Sequence, residues 1–344
     1  MPKVVFNHYD NSGVGYWRMW MQEKWLKKNG WDTFRFDNTK PYIEVDDWED
    51  ILPNTDIFVN QQLDNPEFLA LTMAMRDIYK MPIVAEIDDD MYNVSTSSPA
   101  YKYFHKGSPV ITMAEEYLKE ADALTVTTQT LAELYEPLNK NIYVLPNAID
   151  FEDWPKYESK PGDPIIIGWA GSPTHFDDLK IIHKPLFKLL RKHKNVIFRV
   201  MGCLPDFMAG HPQIELRQDY VDIMDWPKKL ASLNFDIGLA PLTDTPFNRG
   251  KSNLKWLEYS TLGIPTVLSR VGEYKNTVTH REDGFLAGED VEWFYFMDKL
   301  VTEPGERERI GGNAKQKVKA DFNIKTKIKD WDHAYRDIID KFKP

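Results

Sequence analysis

Residues 236–269 read DIGLAPLTDTPFNRGKSNLKWLEYSTLGIPTVLS. The segment begins and ends with short apolar runs that are rich in strand-forming residues. Between these runs, apolar residues recur at helical spacing from Asn253, and Gly263 and Pro265 predict where that helix ends. Strand, helix and strand in this order are typical of a parallel sheet that is covered by helices.

The same alternation occurs twice along the 344 residues, and it restarts at IIIGWAG after a stretch rich in proline and charge. A chain of this length suits two cores better than one. We therefore predict an α/β protein with two Rossmann-like, doubly wound domains that face a cleft. The predicted domains are 1–155 and 165–322, with a linker at 156–164 and a terminal helix at 323–344. Ligands of such sheets bind beyond the carboxyl ends of the strands.

Composition narrows the classes of partner. With 53 acidic and 43 basic residues, the net charge of −10 argues against broad attraction to nucleic acid, although a local basic groove in the first domain stays open. The single cysteine, Cys203, excludes an internal disulfide and a multi-cysteine zinc site. No apolar run approaches the length of a membrane span, so we expect a cytoplasmic protein without one.

Three cations, Arg249, Lys251 and Lys255, lie within seven residues at the start of the predicted helix. Cations at a helix N-terminus favour a small anionic ligand such as a phosphate. Lys251, Lys255 and Glu258 are spaced to share one stripe, with Glu258 roughly 10 Å beyond Lys251 at about 1.5 Å per residue. That distance matches the reach from a diphosphate to ribose hydroxyls. A solvated charged face is the alternative.

The opening segment resembles the retaining glycosyltransferases of the GT-B fold, in the family-4-like group. WAGSPTHFDDL at 169–179, VTTQTLAELY at 126–135, VLPNAID at 144–150 and DGFLA at 283–287 match segments of that family in the same order. The resemblance implies that domain 1–155 binds the acceptor and that domain 165–322 binds the nucleotide sugar. It also implies a terminal helix that crosses back to the first domain. It also implies sugar transfer, with retention, from a UDP- or GDP-linked donor to a hydroxyl of a glycan, a lipid-linked sugar or another acceptor. No cofactor is required on this view, and no metal is expected.

The resemblance assigns roles around the predicted helix. Glu258 would hold the donor ribose, and Lys251 and Arg249 would meet the diphosphate. Ser252 would add a hydroxyl or N–H group, and Lys255 would also contribute to donor binding.

One position departs from the family pattern. Many members carry a glutamate where this chain has Gly250. Contacts to the sugar would then come from Asn248 or from backbone groups. The departure also leaves room for a non-catalytic protein that binds nucleotide sugars.

The turn after IIIGWAG is a second candidate for the donor site. Gly171 and Ser172 can present N–H groups to a phosphate, and His175 can donate to the same anion or pack on the nucleotide. An ordinary strand–helix turn is the alternative. Tyr220 and Trp226 could border the nucleobase, although aromatic packing explains them equally well.

The loop after the first strand contains Gly13 and Gly15, followed by Arg18. In the resembled family this loop faces the cleft and helps to hold the diphosphate or the acceptor. Arg18 could equally be a surface residue. A dinucleotide fingerprint would need a third glycine where Arg18 stands, which argues against an NAD-dependent dehydrogenase.

Three consecutive acids, Asp88, Asp89 and Asp90, follow a buried strand of the first domain. Carboxylates could bind a divalent metal, but we favour an acceptor-side or structural role. His105 is a further candidate site residue, because the resembled enzymes often place a histidine near the donor sugar. A transferase that acts on a modified nucleic acid base is a further alternative, disfavoured by the acidic composition.

Overall fold

The protein is described by a computed structural model that covers residues 1–36, 50–61, 63–157 and 162–343. Its first half forms a parallel six-stranded sheet in the order β2-β1-β3-β4-β5-β6. Most residues of the inner strands are buried, which explains their nearly continuous apolar sequence. The strands are β1 (Lys3–Asn7), β2 (Asp32–Arg35), β3 (Ile57–Asn60), β4 (Ile83–Ile87), β5 (Ala123–Val126) and β6 (Ile142–Val144).

The second half forms another parallel six-stranded sheet, in the order β12-β11-β10-β7-β8-β9. The predicted fold of two doubly wound sheets is thereby confirmed. The strands are β7 (Ile165–Gly171), β8 (Val196–Gly202), β9 (Ile214–Arg217), β10 (Ile237–Ala240), β11 (Thr266–Ser269) and β12 (Phe285–Ala287).

Helices connect the strands of the first sheet. Side chains cap several of them: Asn65, Ser108 and Thr128 each accept a hydrogen bond from a backbone N–H of the first turn. The helices are α1 (Gly13–Gly15), a π-helical turn (Tyr16–Trp20), α2 (Met21–Lys28), α3 (Pro66–Tyr79), α4 (Pro109–Glu120) and α5 (Gln129–Tyr135), with a 3₁₀ turn at Pro99–Lys102.

The helices of the second half include the one predicted from the opening segment. It begins after Asn253 and ends before Gly263, whose φ of 74° is left-handed and suits glycine. The helices are α6 (Phe176–Lys192), α7 (Trp226–Ser232), α8 (Pro246–Gly250), α9 (Leu254–Thr261), α10 (Gly272–Thr277), α11 (Asp290–Thr302), α12 (Pro304–Asp321) and α13 (Ile324–Phe342). Short 3₁₀ turns lie at Pro173–His175, Asp206–Met208 and Ile223–Asp225.

The terminal helix α13 crosses back to the first sheet, as predicted. Tyr335 lies against Phe6 with ring centroids 6.3 Å apart, and the Trp31 indole donates to Asp332 at 2.6 Å. These contacts hold the terminal helix against the first half of the chain. Residues 158–161 of the predicted linker lie outside the described residues. Among the described residues, we find no helix with the length and apolar character needed to span a membrane.

Candidate functional site

The carboxyl ends of both sheets open into one cleft. In the second sheet the strand order reverses beside β7, and a cavity of about 630 Å³ lies beyond it, lined by Gly171 and Leu242. In the first sheet a cavity of about 820 Å³ lies beyond β1 and β3, lined by Tyr9 and Gln61. We call these the second-sheet cavity and the first-sheet cavity. Both occupy the topological switch points at which open α/β sheets bind ligands.

The two cavities adjoin. Val14, Asp88, Asp89 and Lys251 line both, so a ligand in one would meet a ligand in the other at these side chains. The second-sheet cavity collects most of the predicted donor-site residues. From the second half these are Gly171, Ser172, His175, Lys251, Ser252, Lys255 and Glu258.

Glu258 is the buried carboxylate of the second-sheet cavity, with a residue exposure of 8%. The Trp226 indole donates to its Oε1 at 2.7 Å, so Trp226 orients this carboxylate as well as lining the cavity. Burial raises the pKa of Glu258 to about 7, against the opposing influence of Lys255. Within the described residues, Oε2 has no protein donor. It can therefore accept hydrogen bonds from a ligand.

Lys251 does not lie on the same helix as Glu258, so the predicted single stripe is wrong. Thr245 caps the short helix α8, and Lys251 follows that helix with extended backbone (φ −64°, ψ 142°). Its ammonium nevertheless faces the cleft, 3.2 Å from Asp89 Oδ2 and 4.5 Å from the centroid of the Phe247 ring.

Lys255 lies on α9, close to Lys251 and Glu258. Its ammonium is 6.0 Å from the centroid of the Trp169 ring. Burial lowers the pKa of Lys255, and the neighbouring Glu258 opposes that shift. A partly buried cation of this kind is stabilised by an anionic ligand, which compensates for the hydration that it has lost.

Arg249, which the resemblance placed at the diphosphate, does not lie with the other predicted donor-site residues. Its guanidinium is exposed and pairs with Asp244 at 2.6 Å, outside the lining of both cavities. The preceding residue, Asn248, points inward, where its amide donates to Asp178 Oδ1 at 2.9 Å and lines the first-sheet cavity. Consecutive residues of helix α8 point in different directions.

Gly250 occupies the contact between the two halves. A Cβ at this position would lie 3.0 Å from Leu131 Cδ2, and the Gly250 carbonyl accepts from the Thr128 hydroxyl at 3.0 Å. A side chain at this position would therefore press against Leu131 of helix α5, which would have to shift.

His175 belongs to a buried polar network rather than standing as a free cation. Its Nδ1 lies 2.8 Å from Asp178 Oδ2, and the other oxygen of Asp178 accepts from the Thr243 N–H at 2.8 Å. Burial lowers the pKa of His175 to about 4, so the ring is neutral at pH 7. It can still exchange a hydrogen bond with a ligand in the second-sheet cavity.

Arg18 is buried, so the surface alternative is wrong. Its side chain is 1% exposed, and Nε donates to Glu86 Oε1 at 2.6 Å. Nη1 donates to the Leu145 carbonyl at 2.8 Å and to Asn147 Oδ1 at 3.0 Å. Nη2 is buried and has no partner among the described residues, and Arg18 lines the second-sheet cavity. One guanidinium nitrogen is thus left to a ligand.

The two loop glycines and His105 differ in their positions. Gly13 lines the second-sheet cavity. Gly15 instead packs on the loop, since a Cβ there would come within 2.1 Å of the Asp10 carbonyl oxygen, and its N–H donates to Asp10 Oδ1. His105 bonds the Tyr101 carbonyl at 2.9 Å and lines neither cavity.

The three acids after β4 make different contacts. Asp88 lines both cavities, and burial together with Asp89 and Glu86 raises its pKa to about 7. Asp89 faces Lys251, whereas Asp90 accepts from the backbone N–H groups of Tyr92 and Asn93 and thereby holds the turn. In the part of the chain that is described, no cluster of His, Cys, Asp and Glu has the form of a metal site.

No protein-family model matches this sequence, and no curated protein sequence matches it. Solved structures do match over nearly the whole chain. Sucrose-phosphate synthase from Thermosynechococcus elongatus is 13% identical, with a TM-score of 0.66 over 99% of this chain and 100% of that one. A glycosyltransferase from Rickettsia africae is 13% identical, with a TM-score of 0.68 over 98% of each chain. HepE from Anabaena, in complex with UDP and glucose, is 13% identical, with a TM-score of 0.66 over 98% and 100%.

At such low identity the likeness establishes the fold, and this chain has the GT-B fold.

Proposed function

We propose that this GT-B protein is a retaining glycosyltransferase that moves a hexose from a UDP- or GDP-linked donor to a hydroxyl acceptor. The observation that carries the proposal is the second-sheet cavity, whose lining combines the cations Arg18, Lys251 and Lys255 with the buried carboxylate of Glu258. A nucleotide diphosphate presents both groups that this cavity complements: charged phosphates and ribose hydroxyls.

Two sets of groups in the cavity orient the donor. Glu258 Oε2 accepts the ribose hydroxyls, while Lys255, Ser252 and the N-terminus of α9 meet the phosphates. Tyr220, which is 68% exposed at the cavity rim, provides a face for the nucleobase. The β-phosphate and the sugar then lie toward Lys251, where the two cavities join.

Similarity to solved structures supports a nucleotide-linked donor. The HepE structure contains UDP and glucose, and starch synthase IV from Arabidopsis thaliana, with 10% identity and a TM-score of 0.67, is described as bound to ADP and acarbose.

Transfer on this proposal depends on stabilising the leaving group. As the bond between the sugar C1 and the β-phosphate oxygen breaks, negative charge builds on the phosphate, and Lys251 and Arg18 Nη2 stabilise it. The acceptor oxygen forms its bond to C1 on the same face, and its proton passes to the departing phosphate. The configuration at C1 is retained, and no protein base is compulsory.

A second candidate is a protein that binds nucleotide sugars without transferring them. It is favoured by Gly250, because the glutamate of the resembled family is replaced there by a contact between the two halves. This candidate predicts nucleotide binding without slow hydrolysis of any donor.

The discriminating experiment incubates the protein with UDP-glucose, UDP-N-acetylglucosamine or GDP-mannose, with and without EDTA, and follows free nucleotide and the anomeric proton by NMR. We expect release of one nucleotide and an α-configured product from an α-linked donor. Lys251→Ala should lower the rate by about 100-fold or more, as loss of one transition-state donor does. The control is Lys319→Ala, on the exposed face of α12. Binding without release by the wild type would favour the second candidate.

A further inference from the structure

The first-sheet cavity is lined by a strongly unequal set of charges. Among the described residues, Lys251 is the one lysine or arginine in its lining, and the ammonium also faces the other cavity. Seven acidic residues line the same space: Asp64, Glu86, Asp88, Asp89, Asp90, Asp177 and Asp178.

Several of these acids are not neutralised by a neighbouring cation. Arg18 pairs with Glu86, and Lys251 pairs with Asp89. Asp177 pairs with Lys180, which lies outside the cavity lining, at 2.6 Å. Asp64 instead accepts from the Tyr9 hydroxyl at 3.3 Å, and its Oδ1 is buried without a partner in the described part of the chain.

Among the described residues, no lysine or arginine forms an ion pair with Asp90 or Asp178. Backbone N–H groups donate to Asp90, and Asp178 is bonded by a neutral histidine, an amide and an N–H group. These donors satisfy the carboxylates without cancelling their charge. A phosphate or carboxylate that enters this cavity therefore meets uncompensated negative charge.

The remaining walls suit an uncharged ligand. Tyr9, Tyr92, Phe104 and Phe247 line the cavity and supply apolar ring surface, beside oxygen acceptors. Apolar surface combined with a few convergent polar groups is typical of a small-molecule site, and about 820 Å³ is within the usual range of volumes. Sugar rings present C–H faces and hydroxyl donors together, which complements aromatic faces and carboxylate oxygens.

We propose that the first-sheet cavity binds a neutral carbohydrate, so that the acceptor is an uncharged glycoside whose reacting sugar carries no phosphate or carboxylate. This inference rests on the proposed transferase function and narrows its acceptor. Nucleic acid and phosphate-linked carriers are disfavoured because each brings phosphates to this acidic space.

The test compares three p-nitrophenyl β-glycosides that differ only at C6: the glucoside, the glucuronide and the glucoside 6-phosphate. Saturation-transfer NMR measures their binding to the full chain in the presence of the nucleotide that it binds, and product formation is followed in parallel. We expect the glucoside to bind at least about tenfold more tightly than either anionic analogue. Equal or tighter binding of an anionic analogue, or binding of none of the three, would overturn the inference.

A variant pair tests whether the cavity carboxylates cause this discrimination. Asp64→Asn removes one uncompensated charge and keeps the side-chain size, whereas Asp340→Asn makes the same change on the exposed face of α13. We expect Asp64→Asn to reduce the discrimination against the 6-phosphate about threefold or more, and Asp340→Asn to leave it unchanged. Equal discrimination in both variants would contradict the role given to the cavity charge.

Failure of the acceptor inference is separable from failure of the proposed function. Nucleotide binding to the second-sheet cavity, measured in the same samples without any glycoside, reports on the donor site alone. If nucleotide binds but the anionic glycosides are preferred, the acceptor assignment is wrong and the donor site stands. If no nucleotide binds, the proposed function is wrong, and the acceptor assignment that rests on it is wrong as well.

Discussion

Lys251 of the second half lies 3.2 Å from Asp89 of the first half, at the point where the two cavities join. The same ammonium is the cation that the proposed mechanism assigns to the leaving phosphate. A bound diphosphate would therefore compete with Asp89 for Lys251. The ion pair also links the position of the cation to the approach of the two halves, because its partners are 162 residues apart.

Removing the charge of Asp89 should release Lys251 to the nucleotide. We expect Asp89→Asn to tighten binding of the nucleotide diphosphate by up to about fivefold, since partly exposed ion pairs contribute ~1 kcal/mol or less. Titration calorimetry measures the dissociation constant, with Asp340→Asn as the matched control. Weaker binding by Asp89→Asn would show that Asp89 orients Lys251 for the ligand and does not compete with it.

We expect the charge of Glu258 to lower the free energy of unfolding while it contributes to ligand binding. Its pKa in the folded protein lies above the ordinary value of 4.5, so the folded state holds its proton more tightly than the unfolded state. Its contribution to the free energy of unfolding therefore falls as pH rises from about 4.5 to 7, by up to about 3 kcal/mol.

Glu258→Gln keeps an oxygen for the Trp226 indole and removes the charge. We expect the variant to be more stable than the wild type at pH 8 and equally stable near pH 4, with nucleotide binding weakened about tenfold or more. Urea unfolding at both pH values and calorimetry measure the two effects. A variant that binds nucleotide as tightly as the wild type would remove Glu258 from the donor site.

Arg18 combines a structural and a binding role that two variants separate. Arg18→Met leaves Glu86 buried without its cation, and we expect it to lower the free energy of unfolding by about 3–5 kcal/mol. Adding Glu86→Gln removes that charge and should restore much of the stability. If Nη2 contacts the donor, the double variant will still bind nucleotide more weakly than the wild type. If a stable double variant binds nucleotide as tightly as the wild type, Arg18 has only a structural role.

We expect that restoring the glutamate of the resembled family at position 250 destabilises this protein. Gly250→Glu would push a side chain into Leu131, and we expect a loss of about 1–3 kcal/mol in the free energy of unfolding, without faster transfer. Leu131→Ala is itself destabilising, but it should offset part of that loss in the double variant. A stable and more active Gly250→Glu would contradict the packing explanation.

The fold was largely predictable from sequence, because strands buried on both faces and amphipathic helices leave regular patterns. Glu258 could be found for a similar reason, since an acid within an apolar helix is conspicuous. The direction in which Arg249 points could not be predicted, because it depends on the short helix α8, which has no periodicity of its own. The burial of Arg18 depends on Glu86, 68 residues away, and no local pattern connects them. The acidic first-sheet cavity likewise appears only when distant loops are brought together.

The most direct test of the donor site is thermal unfolding with UDP, GDP, ADP and dTDP, each with and without magnesium. A ligand at 100 times its dissociation constant adds about 2.7 kcal/mol to the free energy of unfolding. We predict that one nucleotide raises the midpoint of the wild type and of Lys319→Ala without metal, and that Lys251→Ala loses most of this increase. No increase with any nucleotide, or the same increase in Lys251→Ala, would contradict a diphosphate site built on Lys251.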